Sequence, residues 1–113
     1  MSDPVKAIAR QLQRRCAGLA PTTIRGEKSD RWRSLLFDGA RHQIVLDVGD
    51  GLVDDALEAI RDMIETDGLT IIGHLIAEIR VAEVDRSGDG ARVVLDALTI
   101  ESPPAQRHHG PSF

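Results

Sequence analysis

The 113-residue sequence predicts an α+β domain built in the order helix, hairpin, helix, hairpin. A four- to five-stranded, mostly antiparallel sheet should carry two amphipathic helices on one face. Three observations predict it. Residues 5–19 and 53–64 repeat apolar side chains at the three- and four-residue spacing of a helix. Residues 42–48 alternate inward and outward side chains at the period of a strand, and residues 74–85 and 91–101 form strand-like runs with apolar side chains on both faces. Turn residues rich in glycine and aspartate separate these segments.

Asp3-Pro4 opens the first helix: a carboxylate able to cap free N–H groups, then proline where its missing N–H costs nothing. Val5, Ile8, Ala9, Leu12, Cys16 and Leu19 make one apolar stripe. Lys6, Arg10, Arg14 and Arg15 take the other side, and Gly18 and Pro21 mark the end. A packed helix with a solvated basic face is expected.

Residues 20–30 are polar and read as a connection, with a short edge strand over 22–25. Residues 32–37 and 42–48 then flank Asp38-Gly39, a strong two-residue hairpin signal. Ile44, Leu46 and Val48 give the second of these strands its inward face, and His42 shares their parity. Asp50 is the expected cap of the second helix. Val53, Ala56, Leu57, Ile60, Met63 and Ile64 form its stripe, and Gly68 stands where a left-handed C-terminal cap belongs. Asp54, Asp55, Glu58, Asp62 and Glu65 crowd its outer face, so a basic neighbour would relieve their repulsion.

Residues 74–101 predict a long hairpin closed by a loop at 86–90. Its side chains specify the parity of pairing. Val81 falls opposite Leu95, Ile79 opposite Ala97, and Arg80 opposite Asp96. A one-residue slip would place Asp96 among the aliphatics, a heavy burial cost. The inner face then carries Leu75, Ala77, Ile79, Val81, Val93, Leu95 and Ala97. The outer face carries Ile76, Ala82, Val84, Val94, Leu98 and Ile100 around Glu78, Arg80 and Asp96. Six aliphatic side chains expose a patch on the order of several hundred Å², a size that marks association sites. A homodimer through this outer face is the expectation.

Composition narrows the function classes. Apolar residues make up 42% and charged residues 28%, as in ordinary globular domains, so residues 1–101 are read as one domain. Residues 102–113 lack a core-forming pattern and read as a flexible tail. Aromatics are only 3%, too few for base-stacking platforms or aromatic cages. One cysteine, no leader-like N-terminus and no long apolar run point to the cytoplasm and away from membranes. Charge is unevenly spread: residues 1–45 carry nine Lys/Arg against four Asp/Glu, and residues 46–113 five against fourteen. Attraction between the halves, within or between subunits, explains this better than nucleic acid, because the whole chain has net charge −4.

Candidate sites are sparse. Residues 85–90 mimic the first half of a calcium loop. However, Arg92 and Asp96 stand where an apolar residue and a bidentate glutamate belong, so a plain hairpin turn is the better reading. His42 and His74 begin strands beside glycine-containing turns and would form an acid–base or ligand site if the hairpins were neighbours. Arg41 and Trp32 complete that candidate ligand set. Arg31-Trp32-Arg33 also resembles a phosphate clamp, with one aromatic as weak support. Cys16 falls on the buried stripe as a packed thiol, and His108-His109 lies in the tail. No phosphate-cradling loop, nucleophile elbow or paired-cysteine motif is present, so no cofactor, metal or catalytic residue is assigned. The resulting reading is a small non-enzymatic module that self-associates and binds a protein or small ligand. The alternatives are a small enzyme or metal-dependent protein using His42 and His74, and nucleic-acid binding through Lys6, Arg10, Arg14, Arg31 and Arg33.

Overall fold

A computed structural model describes residues 3–101. Helix α1 (Pro4–Cys16) leads into strands β1 (Thr22–Arg33) and β2 (Asp38–Val48). Helix α2 (Val53–Asp62) continues into a single π turn (Met63–Asp67), followed by β3 (His74–Ser87) and β4 (Gly90–Glu101). The strands form one antiparallel sheet in the order β1-β2-β4-β3. The two hairpins thus join through their second strands, leaving β1 and β3 as edges. The protein is α+β. The tail at 102–113, with His108-His109, lies outside the described residues. Among the described residues no helix is long and apolar enough to cross a membrane.

Both helices cover the same side of the sheet. Ile8 and Leu12 of α1, Ala56 and Ile60 of α2, and Ile44, Leu46, Val93 and Leu95 of the central strands belong to one buried cluster. The Asp3 carboxylate caps α1, accepting from the N–H groups of Val5 at 3.0 Å and Lys6 at 3.4 Å. Asp50 does not cap α2, contrary to expectation. Leu52 is its N-cap and has no side-chain cap bond; the Leu52 N–H instead donates to the Leu19 carbonyl at 2.8 Å. The end of α1 therefore anchors the start of α2. Asp54 and Asp55 in the first turn favour the helix dipole. Gly68 takes a positive φ of 81°, and its N–H closes the π turn on Met63 at 2.8 Å.

The first hairpin departs from the reading of the sequence. Residues 26–30 are strand rather than connection, residues 34–37 are the turn rather than strand, and Asp38-Gly39 lies inside β2 instead of forming the turn. Ser34 closes the actual turn. Its N–H and hydroxyl donate to the Phe37 carbonyl at 2.8 and 3.1 Å, and its hydroxyl accepts from the Phe37 N–H at 3.0 Å. Gly39 serves a close approach: a Cβ there would lie 2.7 Å from Trp32 Cε2 and 2.5 Å from the Thr99 carbonyl oxygen. The indole covers that glycine.

The second hairpin pairs as expected at its centre, with Ile79–Ala97, Arg80–Asp96 and Val81–Leu95 opposed. Its ends differ. The loop is the two-residue turn Gly88-Asp89, with Gly88 at φ +57°, and Ser87 pairs with Gly90. β3 has fourteen residues against twelve in β4, and bulges between Ile76/Glu78 and Val81/Glu83 absorb the difference. Each bulge reverses the inward–outward alternation beyond it. Ile76 consequently opposes Thr99, and Val84 opposes Val93, both on the helix-covered side. Neither belongs to the outer face. Leu75, expected inside, opposes Ile100 on the outer face and is 60% exposed.

Candidate functional site

The covered side of the sheet carries a polar cluster centred on His42. The strand alternation that buries Ile44 and Leu46 also turns His42 inward, where it is 6% exposed. An imidazole in such a place needs partners for both nitrogens. Nδ1 shares a hydrogen bond with Ser29 Oγ at 2.7 Å, and Nε2 shares one with Thr99 Oγ1 at 2.9 Å. Ser29 stands opposite His42 on β1, and Thr99 follows Ala97, its opposite residue on β4, by two positions. Burial pushes the His42 pKa below its ordinary value of 6.5; Asp3 and Glu27 oppose that shift, and His74 adds to it. A neutral imidazole between two hydroxyls can relay a proton between them, one exposed on Ser29 and one buried on Thr99.

His74 pairs with Glu101 on the same side, near enough for its charge to act on His42. Its Nδ1 is buried with no hydrogen-bond partner among the described residues. Arg41 and Trp32 do not join them. Arg41 opposes Leu98, and Trp32 opposes Gly39 in the row that continues to Ile100, both on the outer face. Arg41 instead borders a groove of about 290 Å³ with Glu78, Arg80, Asp96 and Leu98. Two histidines on one side and an arginine with a tryptophan on the other make two separate surfaces. Among the described residues no group of three His, Cys, Asp or Glu could hold a metal ion. Cys16 is buried, donates to the Ala56 carbonyl at 3.7 Å, and has its thiol pKa raised by burial.

The outer face is a ladder of mixed rows. Val45 and Val94 oppose each other in one row, and the next places Gln43 beside Asp96 and Arg80. Arg80 bonds Asp96 at 3.1 Å. Farther along, Arg25 and Arg92 hold Asp47 from two sides at 3.4 and 3.5 Å. Arg86 bonds Asp54, which ties the second hairpin to the acidic helix α2. Of the predicted interface, Val94, Leu98 and Ile100 stand on this face, while Ala82 is the extra residue of a bulge.

Large apolar side chains gather at one end of the sheet. Leu35 and Leu36 in the first hairpin turn are 102% and 77% exposed, and Phe37 is partly exposed. Trp32, Ile100 and Leu75 share the adjoining outer row. Periodicity alone does not find the turn residues, because an apolar run beside Trp32 has the composition of a strand; three large apolar residues after Ser34 are the available signal. Of the basic residues considered for nucleic acid, Arg31 bonds Glu101 at 3.2 Å and Arg33 bonds Asp38 at 3.1 Å. The chain matches no family model, and neither a curated protein nor a solved structure gives a significant match.

Proposed function

We propose that this chain is a non-enzymatic module that works by self-association through the β1–β2 end of its sheet. The observation that carries the reading is the exposed apolar group Leu35, Leu36, Phe37 and Leu75, contiguous with Trp32 and Ile100. A monomer gains nothing from holding leucines fully in water, whereas a second copy could bury them. The adjoining strand residues 27–31 are exposed as well, so this end offers apolar area and a backbone edge that is unpaired among the described residues.

Sedimentation of the full chain tests the reading. A dimer is expected at tens of micromolar, and the Leu35→Asp/Leu36→Asp double variant should weaken it with an unchanged far-UV circular dichroism spectrum. A monomeric wild type at that concentration would refute self-association. A double variant that dimerises as tightly as the wild type would move the contact elsewhere.

A further inference from the structure

We infer that the partner surface is the free edge of β1, which pairs antiparallel with β1 of a second copy in a register centred on Ser29. This rests on the self-association reading and specifies its geometry. Among the described residues β1 ends the sheet, and one side of its backbone has no neighbouring strand there. Glu27, Lys28, Ser29, Asp30 and Arg31 are all exposed. The other edge, β3, is interrupted by two bulges, a common means of blocking edge pairing. β1 is regular from Gly26 to Arg33, beyond its own bulge between Ile24 and Gly26.

The register follows from charge and symmetry. In a two-fold antiparallel pair, neighbouring residue pairs alternate between hydrogen-bonded and non-hydrogen-bonded types. The axis must therefore pass through a residue that faces its own copy. Centring on Glu27, Lys28, Asp30 or Arg31 sets a like charge against itself, which is destabilising. Centring on Ser29 opposes two small hydroxyls. Lys28 then faces Asp30, and Glu27 faces Arg31, each pair occurring twice. The sequence Glu-Lys-Ser-Asp-Arg is complementary to its own antiparallel copy.

The flanks fit the same register. Trp32 falls opposite Gly26 of the second copy, and a Cβ on Gly26 would meet nothing within 4 Å, so that position is open. Each indole would lie between two glycines, its own Gly39 and the second copy's Gly26. Arg25 would approach Arg33, but these already bond Asp47 and Asp38 respectively. Leu35 and Leu36 of one copy come alongside the start of β1 in the other, which places the exposed turn against protein. Ser29 also bonds the buried His42, so the new interface would seal that hydrogen bond from solvent. The two sheets become one of eight strands.

Charge reversal distinguishes this register from other modes of association. Lys28→Asp and Asp30→Lys each create two like-charged pairs per dimer and should raise the dissociation constant at least about tenfold. An equimolar mixture of the two single variants should form a heterodimer, because every opposed pair is again of opposite sign. The double variant Lys28→Asp/Asp30→Lys should homodimerise as the wild type does. These results, read by sedimentation on full-length chains with circular dichroism as the fold control, would support the edge contact. Single variants that dimerise normally, or a mixture or double variant that stays monomeric, would overturn it. Where the wild type is a monomer, the self-association reading falls first. Where it is a dimer indifferent to these charges, only the edge register falls.

Discussion

His42 concentrates the tension between burial and polarity in this chain. Its alternation with Ile44 and Leu46 puts it in the core, and Ser29 and Thr99 make that tolerable by occupying both ring nitrogens. Burial lowers its pKa in the folded state, so between 6.5 and that lower value the unfolded chain binds more protons. The stability His42 contributes is therefore complete above about pH 6.5 and declines as pH falls through that window. Urea titrations from pH 8 to 5 should show the decline, and His42→Gln should flatten this part of the profile. A wild-type midpoint that rises on acidification through this range would contradict the assignment. The imidazole was legible in the sequence as an inward residue. Its partners were not, because Ser29 lies in a segment without apolar alternation and the pairing that brings Thr99 to the ring joins residues 57 positions apart.

At the scale of elements, long-range pairing overruled local turn chemistry. Asp38-Gly39 is a favourable hairpin turn in isolation. Here Gly39 has a different task, leaving room for the indole of Trp32 beside the Thr99 carbonyl. Gly39→Ala should destabilise the fold by about 1–3 kcal/mol through overpacking, read as a lower urea midpoint. It should also alter Trp32 fluorescence, because this is the only tryptophan. An unchanged midpoint and spectrum would mean that the ring does not rest there. The helices were easier to read, since their stripes repeat over three or more turns and α1 carries both a carboxylate cap and an N-terminal proline. The bulges at Ala77 and Ala82 were invisible: alanine fits either face, so nothing in the pattern marks where an extra residue enters.

For the whole molecule, the uneven charge distribution now has structural detail. Arg25–Asp47 and Arg31–Glu101 join the basic first part of the chain to the acidic remainder, and Arg86–Asp54 ties the second hairpin to the acidic helix. All are exposed pairs, each worth little alone. The proposed edge contact adds Lys28–Asp30 and Glu27–Arg31 between copies, so raising salt from 50 mM to 500 mM should weaken the dimer severalfold. Salt-insensitive sedimentation would argue for a contact dominated by the apolar turn. The amino-acid sequence alone determined the α+β class, both helices, the central pairing of the second hairpin and the inward set of β2, because short-range periodicity and charge parity encode them. Tertiary structure alone decided the strand order, the reach of β1, the bulges that turn Ile76 and Val84 inward, and the separation of Arg41 and Trp32 from the histidines. Those features depend on contacts between segments far apart in the chain, where many arrangements satisfy the same local pattern and only packing selects among them.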